Sequence, residues 1–401
     1  MKVVAINSVN FGSTGNIMCK ISDTANESGI YSVVSYPKSN ENKRKVIKDS
    51  IIIGNRISRN LHIKFAEFTG YQGCFSYLST LNFLHNLEKI NPDIIHLHNL
   101  HNCYINLPML FKYVKKHNIR IVWTLHDCWA FTGQCPYFTI AKCDKWKKGC
   151  HDCVQYNSEY PVTRIDKTNK MWKLKKKWFT DINNLDIITP SKWLAGLVKE
   201  SFLGEYNVNV INNGVDLSVF KPTDNDFRAK HNISEDGYII LGVAFGWGKR
   251  KGLDVFIELA NRLVNEKYTI VLVGTNNDID KVLPENVISV HCTLDKSELA
   301  GIYTAADVFA NPTREENFPT VNMESLACGT PVVTFNTGGS PESLNESCGM
   351  VVPCDDIDAM EDAIVKVCEE KLFSSEACMK RAADFDMNKK FKEYVDLYLK
   401  K

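Results

Sequence analysis

Short apolar runs alternate along this chain with stretches whose apolar positions recur every three or four residues. In the first half the runs are KVVAIN (Lys2–Asn7), YSVVSY (Tyr31–Tyr36), DIIHLH (Asp93–His98), IRIVWTLH (Ile119–His126) and LDIITP (Leu185–Pro190). Amphipathic stretches such as LSTLNFLHNLEKI (Leu78–Ile90) and LPMLFKYVKKH (Leu107–His117) separate them. The second half repeats the theme with YIILGVAF, YTIVLVG, VISVHC, DVFANP, PVVTF and GMVVP, interleaved with LDVFIELANRLVNE, KSELAGIYTAAD and DIDAMEDAIVKVCEE. This alternation predicts βαβ units and parallel sheets. Asn212–Phe227, rich in Gly, Pro, Asn and Asp, interrupts the periodicity as a linker does. The expectation is two doubly wound α/β domains facing across a central cleft, with ligands at the C-terminal ends of the strands. The first spans residues 1–206, with a Cys-rich insert around 128–160. The second spans 207–385, and a helix over 386–401 packs back on the first domain.

Composition changes this picture little. At 401 residues, 44% hydrophobic and 24% charged, the chain reads as globular. A formal net charge of +1 gives no whole-protein reason to expect nucleic acid as a partner. The first apolar run ends at Asn7, too early for a secretory leader, and no run of 18 apolar residues occurs. A cytoplasmic protein is therefore expected, with most of its 14 cysteines reduced.

The densest candidate chemistry is EENFPTVNMESLACGTPVV (Glu315–Val333). Pro319 favours a first helical turn and Gly329-Thr330-Pro331 stops a helix, so a helix is expected from about Pro319 to Cys328. Glu316 then lies in the loop above the helix N-terminus and Glu324 within the helix. The loop follows the strand DVFANP, at the ligand-binding end of a sheet, where free N–H groups attract phosphates. A buried Glu324 carboxylate suits sugar hydroxyls as donors. Each glutamate alone also fits an ordinary acid-enriched helix start.

The whole string Glu315–Gly339 resembles the glutamate–seven–glutamate segment of family-four retaining glycosyltransferases with the GT-B fold, of the bacterial capsule, exopolysaccharide and O-antigen type. GSTGN (Gly12–Asn16), TLHDCWAFTG (Thr124–Gly133), ITPSKWLAGLVKES (Ile188–Ser201), VINNGVDLSVFKP (Val210–Pro222) and KGLDVFIELA (Lys251–Ala260) agree with that family in order and spacing. Together they cover most of the chain. The resemblance implies two Rossmann-like domains, an acceptor-side one and a nucleotide-sugar-binding one.

On the same resemblance Glu324 binds the donor ribose and Glu316 lies at the donor sugar, with Asn317, Phe318, Thr320 and Val321 offering backbone N–H groups. Gly15 lies in GSTGN, which follows the first strand and opens a helix, where backbone can approach phosphate or acceptor. Arg250 and Lys251 supply positive charge to a leaving nucleoside diphosphate. The family usually carries an arginine five residues before that lysine; this chain has Gly246. His126 corresponds to the family histidine beside the donor sugar, positioning it for front-face attack, and is counted with Glu316 as catalytic. His98 and Asn99 border the acceptor pocket, with His101 nearby. The implied donor is UDP- or GDP-linked, and the acceptor a saccharide or lipid-linked oligosaccharide. Asp224–Asp226 and Asp278–Asp280 fall in linker or loop, so transfer without metal or other cofactor is expected.

Two segments stand outside this scheme. Cys135, Cys143, Cys150 and Cys153 are separated by seven, six and two residues, a spacing open to a closed structural zinc site, to reduced thiols or to disulfides, with Cys128 and His151 as substitute ligands. From Lys142 to Lys177 the chain carries eleven Lys/Arg against four Asp/Glu. There KMWKLKKKWF reads either as a solvated basic face or as an amphipathic helix docking Lys173–Lys177 and neighbouring tryptophans on an anionic membrane. Two other functions use similar domains: a sugar-nucleotide 2-epimerase, and a nucleotide-sugar-binding protein without catalysis. Epimerases lack the Glu-pair segment, and Gly246 is the only feature favouring the binder.

Overall fold

The computed structural model describes residues 1–39, 42, 47–263, 267–291 and 295–400. Val264–Glu266 of the expected helix, Cys292 of the expected strand and Lys401 lie outside the described residues. The chain divides into two compact units, Met1–Asn212 with Phe391–Lys401, and Asn213–Lys390.

The first unit holds a seven-stranded sheet of order β3-β2-β1-β4-β5-β6-β7, parallel throughout. Its strands are β1 (Lys2–Ile6), β2 (Tyr31–Pro37), β3 (Ile51–Ile53), β4 (Ile94–Leu97), β5 (Arg120–Thr124), β6 (Leu185–Thr189) and β7 (Asn207–Val210). Crossovers run through α1 (Gly12–Glu27), α2 (Arg56–Thr69), α3 (Tyr77–Ile90), α4 (Leu107–His117), α5 (Thr168–Phe179) and α6 (Lys192–Glu200). Strands buried on both faces must be apolar at nearly every position, which is why β1, β4 and β5 read as continuous apolar runs. Val4, Ile6, Ile95 and Leu97 join the larger core on one face, whereas Ala5, Val34 and Tyr36 pack on the other. β3 and β7 are edge strands that the apolar pattern missed. Because β7 pairs with β6, residues 207–210 belong to the first unit, not to a second domain beginning at 207.

The second unit holds a six-stranded parallel sheet of order β10-β9-β8-β11-β12-β13. Its strands are β8 (Tyr238–Val243), β9 (Tyr268–Thr275), β10 (Val287–His291), β11 (Val308–Asn311), β12 (Val332–Phe335) and β13 (Gly349–Val352). The helices are α7 (Phe227–Lys230), α8 (Leu253–Arg262), α9 (Asn277–Asp280), α10 (Lys296–Ala305), α11 (Thr320–Ala327), α12 (Ile357–Glu370) and α13 (Ser375–Ala382). Alternate residues of β8 feed two cores, Ile239 and Leu241 on one face and Ile240 on the other. In both sheets the strand order reverses next to the first strand, between β1 and β4 and between β8 and β11. Loops at such a switch point open a crevice at the strands' C-terminal ends.

α14 (Met387–Leu399) starts in the second unit, and from Phe391 onward its residues belong to the first. Tyr398 is buried, its hydroxyl 2.6 Å from His96 Nδ1. Arg120 donates to the carbonyls of Leu397 (2.9 Å) and Tyr398 (3.1 Å) and pairs with Asp186 (2.9 Å), satisfying the last orphan carbonyls of the helix.

α5 corrects the expectation of a basic, tryptophan-bearing docking helix. Met171, Trp172, Lys175 and Phe179 form its buried face. Trp146 is buried as well, and Trp172 Nε1 donates to its carbonyl at 2.8 Å. Lys175 is fully buried: its ammonium donates to the carbonyls of Trp129 (2.6 Å) and Thr132 (3.1 Å) and lies 3.5 Å from the Trp129 ring centroid. Neither it nor the two tryptophans can reach a membrane; Lys173, Lys176 and Lys177 stay exposed. Burial lowers the Lys175 pKa to about 7, against the opposing pull of Cys135, Cys150 and Asp127.

The unfolded chain, with an ordinary lysine, therefore binds an extra proton between pH 7 and about 10, and stability attributable to Lys175 rises with pH across that window. Relative to a Lys175→Met chain, wild-type stability should climb by on the order of 3 kcal/mol from pH 7 to 10. Urea midpoints measured at stepped pH check this; parallel curves for the two chains would refute it.

Candidate active site

At the switch point of the second sheet, the loop after β8 carries Lys249–Lys251 as a single 3-10 turn, and the loop after β11 carries Arg314–Pro319. The two loops are joined backbone to backbone, Arg314 N–H donating to the Arg250 carbonyl at 2.9 Å. Lys251 Nζ donates to Glu316 Oε2 at 2.6 Å, with the two side chains 23% and 16% exposed. The other carboxylate oxygen, Oε1, accepts from the Asn317 N–H at 3.1 Å. Burial opposes the charged form of Glu316, but Lys251, the Asn317 amide and Arg250 outweigh it and hold the carboxyl below its ordinary value. Arg250 is exposed, and its guanidinium reaches the Glu315 carbonyl at 3.4 Å.

α11 begins where the Pro319 signal placed it, and Pro319 makes no side-chain cap. Its first-turn N–H groups are thus left without a capping side chain in front of the Glu316 loop. Phe318 itself points away: it is buried and packs edge-on against Phe385 at 5.5 Å, so only its backbone can serve a ligand. Thr320, Val321 and Glu324 follow on the helix. Glu324 is half-buried and accepts from the Tyr303 hydroxyl at 3.3 Å. Burial raises its carboxyl above the ordinary value, against the pull of Lys296 and the hydroxyls of Tyr303 and Thr320. The two glutamates therefore differ electrostatically, one held charged by a lysine and the other burdened by burial.

Sequence reasoning missed the residues that hold this geometry. Arg314 bridges Asp254 (2.7 Å) and Asp355 and also donates to the Lys249 carbonyl. Gly338 runs so close under the loop that a Cβ there would stand 1.7 Å from the Glu316 carbonyl oxygen. The Gly-Gly of the motif signalled Gly338; Arg314 had no local signal. Gly246 adopts φ +117°, where an arginine would be strained, which gives the departure from the family pattern a backbone cause.

In the first unit, the switch point carries Gly15 at the start of α1 and His98-Asn99 in the loop after β4. Gly15 is buried in the first turn of α1, and a Cβ there would meet the Asn10 backbone carbon at 2.6 Å. His98 Nδ1 and His126 Nε2 are 3.0 Å apart with rings stacked at 5.3 Å, and the His96 ring lies 4.2 Å from His98. Burial lowers His126 to about 4, with Asp127 pulling it up and His101 pushing it down. Burial, then His96 and His126, take His98 well below its usual value. Both are neutral imidazoles at pH 7, able to hydrogen-bond without charge. His101 pairs with Asp127 at 3.1 Å, and the Asn99 N–H donates to Asn7 Oδ1 at 3.2 Å.

Cys135, Cys143, Cys150 and Cys153 line one cavity of about 180 Å³. All four are free thiols, and the Gly133 N–H donates to Cys150 Sγ at 3.1 Å. Among the described residues no group of three His, Cys, Asp or Glu is placed to hold a metal ion, so a zinc ion would need these thiols to draw together within that cavity. Asp226 pairs with Lys230 (2.9 Å), Asp278 with Lys281 (2.7 Å) and Asp280 with His291 (2.7 Å).

Residues 33–219 match the family model described as glycosyltransferase family 4, and residues 238–370 that of glycosyl transferases group 1. Over 326 residues the chain is 26% identical to a protein of Escherichia coli (strain K12) provisionally named the colanic acid biosynthesis glycosyl transferase WcaC, covering 77% of this chain and 76% of that one. It is 26% identical over 222 residues to the Escherichia coli UDP-Gal:alpha-D-GlcNAc-diphosphoundecaprenol alpha-1,3-galactosyltransferase, covering 50% of this chain and 56% of that one. Among solved structures its fold is similar to that of sucrose-phosphate synthase from Thermosynechococcus elongatus, with a TM-score of 0.74 at 18% identity over 99% of this chain and 98% of that one.

The close approach of Gly338 gives a direct test of the loop geometry. Gly338→Ala must push the Glu316 carbonyl aside, and we expect a loss of about 1–3 kcal/mol in stability, read as a lower melting midpoint. Gly248→Ala, where a Cβ meets nothing within 4 Å, is the control and should melt with the wild type.

Proposed function

The chain belongs to the group 1 and family 4 glycosyl transferases, with the GT-B fold, and acts in polysaccharide biosynthesis; from that premise we propose that it moves a hexosyl or N-acetylhexosaminyl unit from a nucleoside diphosphate sugar to a saccharide or lipid-linked oligosaccharide, with retention and without a metal. The observation that carries this finer reading is the Lys251–Glu316 pair at the second sheet's switch point, beside Arg250 and in front of the uncapped start of α11. A departing nucleoside diphosphate brings two charged phosphates. Lys251, Arg250 and the first-turn amides form a preorganised positive surface suited to them. When phosphate competes for Lys251, Glu316 is released toward sugar hydroxyls.

Glu324 supports a ribose role, since hydroxyl donors would relieve a carboxylate that burial leaves short of partners. The neutral His126 supports holding a sugar hydroxyl rather than acting as nucleophile, and His98 and Asn99 support a role on the acceptor side. Of the UDP- and GDP-linked donors, the name of the similar galactosyltransferase favours UDP, and it favours a diphosphate-lipid-linked acceptor. No helix among the described residues is long and apolar enough to cross a membrane, which is compatible with work at the inner membrane face.

Glu324→Ala should weaken UDP-sugar binding by roughly ten- to a hundredfold in titration calorimetry, the loss of a charged hydrogen-bond acceptor; unchanged affinity would remove its ribose role. Because its carboxyl titrates above the ordinary value and binding favours the carboxylate, wild-type affinity should rise with pH through that raised value, and the variant's should stay flat. Lys251→Ala should lower kcat by about 10²–10³-fold. Wild-type turnover should survive EDTA, and a loss restored by manganese would overturn the metal-free reading.

A further inference from the structure

The apolar positions of α2 recur at Ile57, Leu61, Phe65 and Phe68, a single stripe along one helix face. Such a stripe ordinarily turns to the core, and here it turns outward. Ile57 is 73% exposed, Leu61 and Phe65 51% each and Phe68 50%. The side of α2 that meets α3 is polar instead: Ser58 and Ser79 hydroxyls lie 2.9 Å apart, and His62 Nδ1 lies 2.8 Å from Ser76 Oγ. α3 continues the pattern, with Tyr77, Leu78 and Leu81 exposed while Phe83, Leu84 and Leu87 fill the core. Of the 22 large hydrophobic side chains exposed among the described residues, nine fall between Ile52 and Leu81, so this is a concentration and not a scatter.

The charges on this face have one sign. Arg56 and Lys64 are exposed on α2, whose only acid, Glu67, is paired to Arg164 at 3.0 Å. The Arg164 guanidinium in turn lies 4.0 Å from the Phe68 ring centroid. The face also runs to the mouth of a cavity of about 700 Å³ at the C-terminal ends of β2 and β3. Ile52 and Leu78, both exposed, line that cavity with Tyr36, Lys38, Asn42 and Asn82.

We propose that α2 and the start of α3 form the face by which this protein lies on an anionic lipid bilayer, the apolar stripe at the boundary of headgroups and acyl chains and Arg56 and Lys64 at lipid phosphates. A second copy of the chain fits less well, because an isologous contact would bring these cations against their own images without an acid to meet them. The proposal does not depend on the sugar-transfer reading. It moves the expected membrane contact from α5, whose apolar side is buried, to a helix whose apolar side is not.

Flotation of the full chain with vesicles of zwitterionic lipid, with and without anionic lipid, tests it. Three variants are compared: Leu61→Ser/Phe65→Ser/Phe68→Ser, Arg56→Glu/Lys64→Glu, and the α5 control Lys173→Glu/Lys176→Glu/Lys177→Glu. All replaced side chains are exposed, and circular dichroism and melting verify the folds. The wild type should float with anionic vesicles, each α2 variant should partition about tenfold less or worse, and the control should match the wild type. The proposal fails if the wild type does not float, if the α2 variants float unchanged, or if only the α5 control loses binding. It also fails if light scattering shows a dimer that the serine variant dissolves while vesicles leave it untouched. Sugar transfer to a soluble acceptor should persist in all three variants, so loss of flotation and loss of transfer are separable results.

Discussion

A guanidinium that is only 9% exposed must find partners for its charge, and Arg314 finds them on three separate segments: Asp254 at the start of α8, Asp355 beyond β13, and the Lys249 carbonyl in the loop after β8. These partners lie 60, 41 and 65 residues away in sequence. The cluster therefore ties together loops that the strand order merely brings near. Lys251 meets Glu316 because their loops are fixed at Arg314, and Gly338 leaves room for the Glu316 backbone beneath. With the anchor in place, the Lys251–Glu316 pair is preorganised, and little reordering is needed when a charged group arrives.

The first unit solves a related problem with neutral groups. His96, His98 and His126 lie at the C-terminal ends of neighbouring strands, and burial keeps all three uncharged. The row is held at its base: His96 lies between Thr124 and the Tyr398 hydroxyl of α14, whose last carbonyls Arg120 holds. A helix so far along the sequence is thereby built into the support of the first sheet's histidines. Neutral imidazoles can orient hydroxyls without drawing phosphate away from cations elsewhere.

Much of this was legible in the sequence because a parallel strand covered on both faces must be apolar almost continuously, and eleven of the thirteen strands announce themselves that way. β7 did not, because at a sheet edge NVNV can stay half polar; β3 is apolar throughout but, at three residues, too short to stand out as a strand. α11 was readable to within one residue, since Pro319 and Gly329 act locally on the backbone. Contacts between distant segments leave no such local mark. Lys251 and Glu316 were found as separate motifs, but their contact depends on Arg314, whose partners carry no local mark. Gly246 looked like a defect in a cationic clamp until its φ of +117° showed a backbone that disfavours a side chain there.

Periodicity also shows that a helix has two faces without saying which one turns inward, and α2 and α5 fall on opposite sides of that ambiguity. α5 looked like a surface helix because of its lysines. The insert beside it is irregular backbone, however, and buried carbonyls there require donors that no strand supplies. Lys175 supplies them to Trp129 and Thr132, and the tryptophans follow it inward. α2 carries the reverse arrangement, an apolar stripe left exposed. Its neighbour α3 meets it through serines and His62 instead, and those hydrogen bonds commit the polar side to the protein. In both cases the hydrogen-bonding needs of the adjoining segment bear on the orientation: α5 buries Lys175 together with its apolar side, and α2 turns its polar side inward and leaves its apolar stripe outside. A helix that satisfies its neighbours with polar groups while leaving its apolar stripe in the open has been folded for a non-aqueous surface.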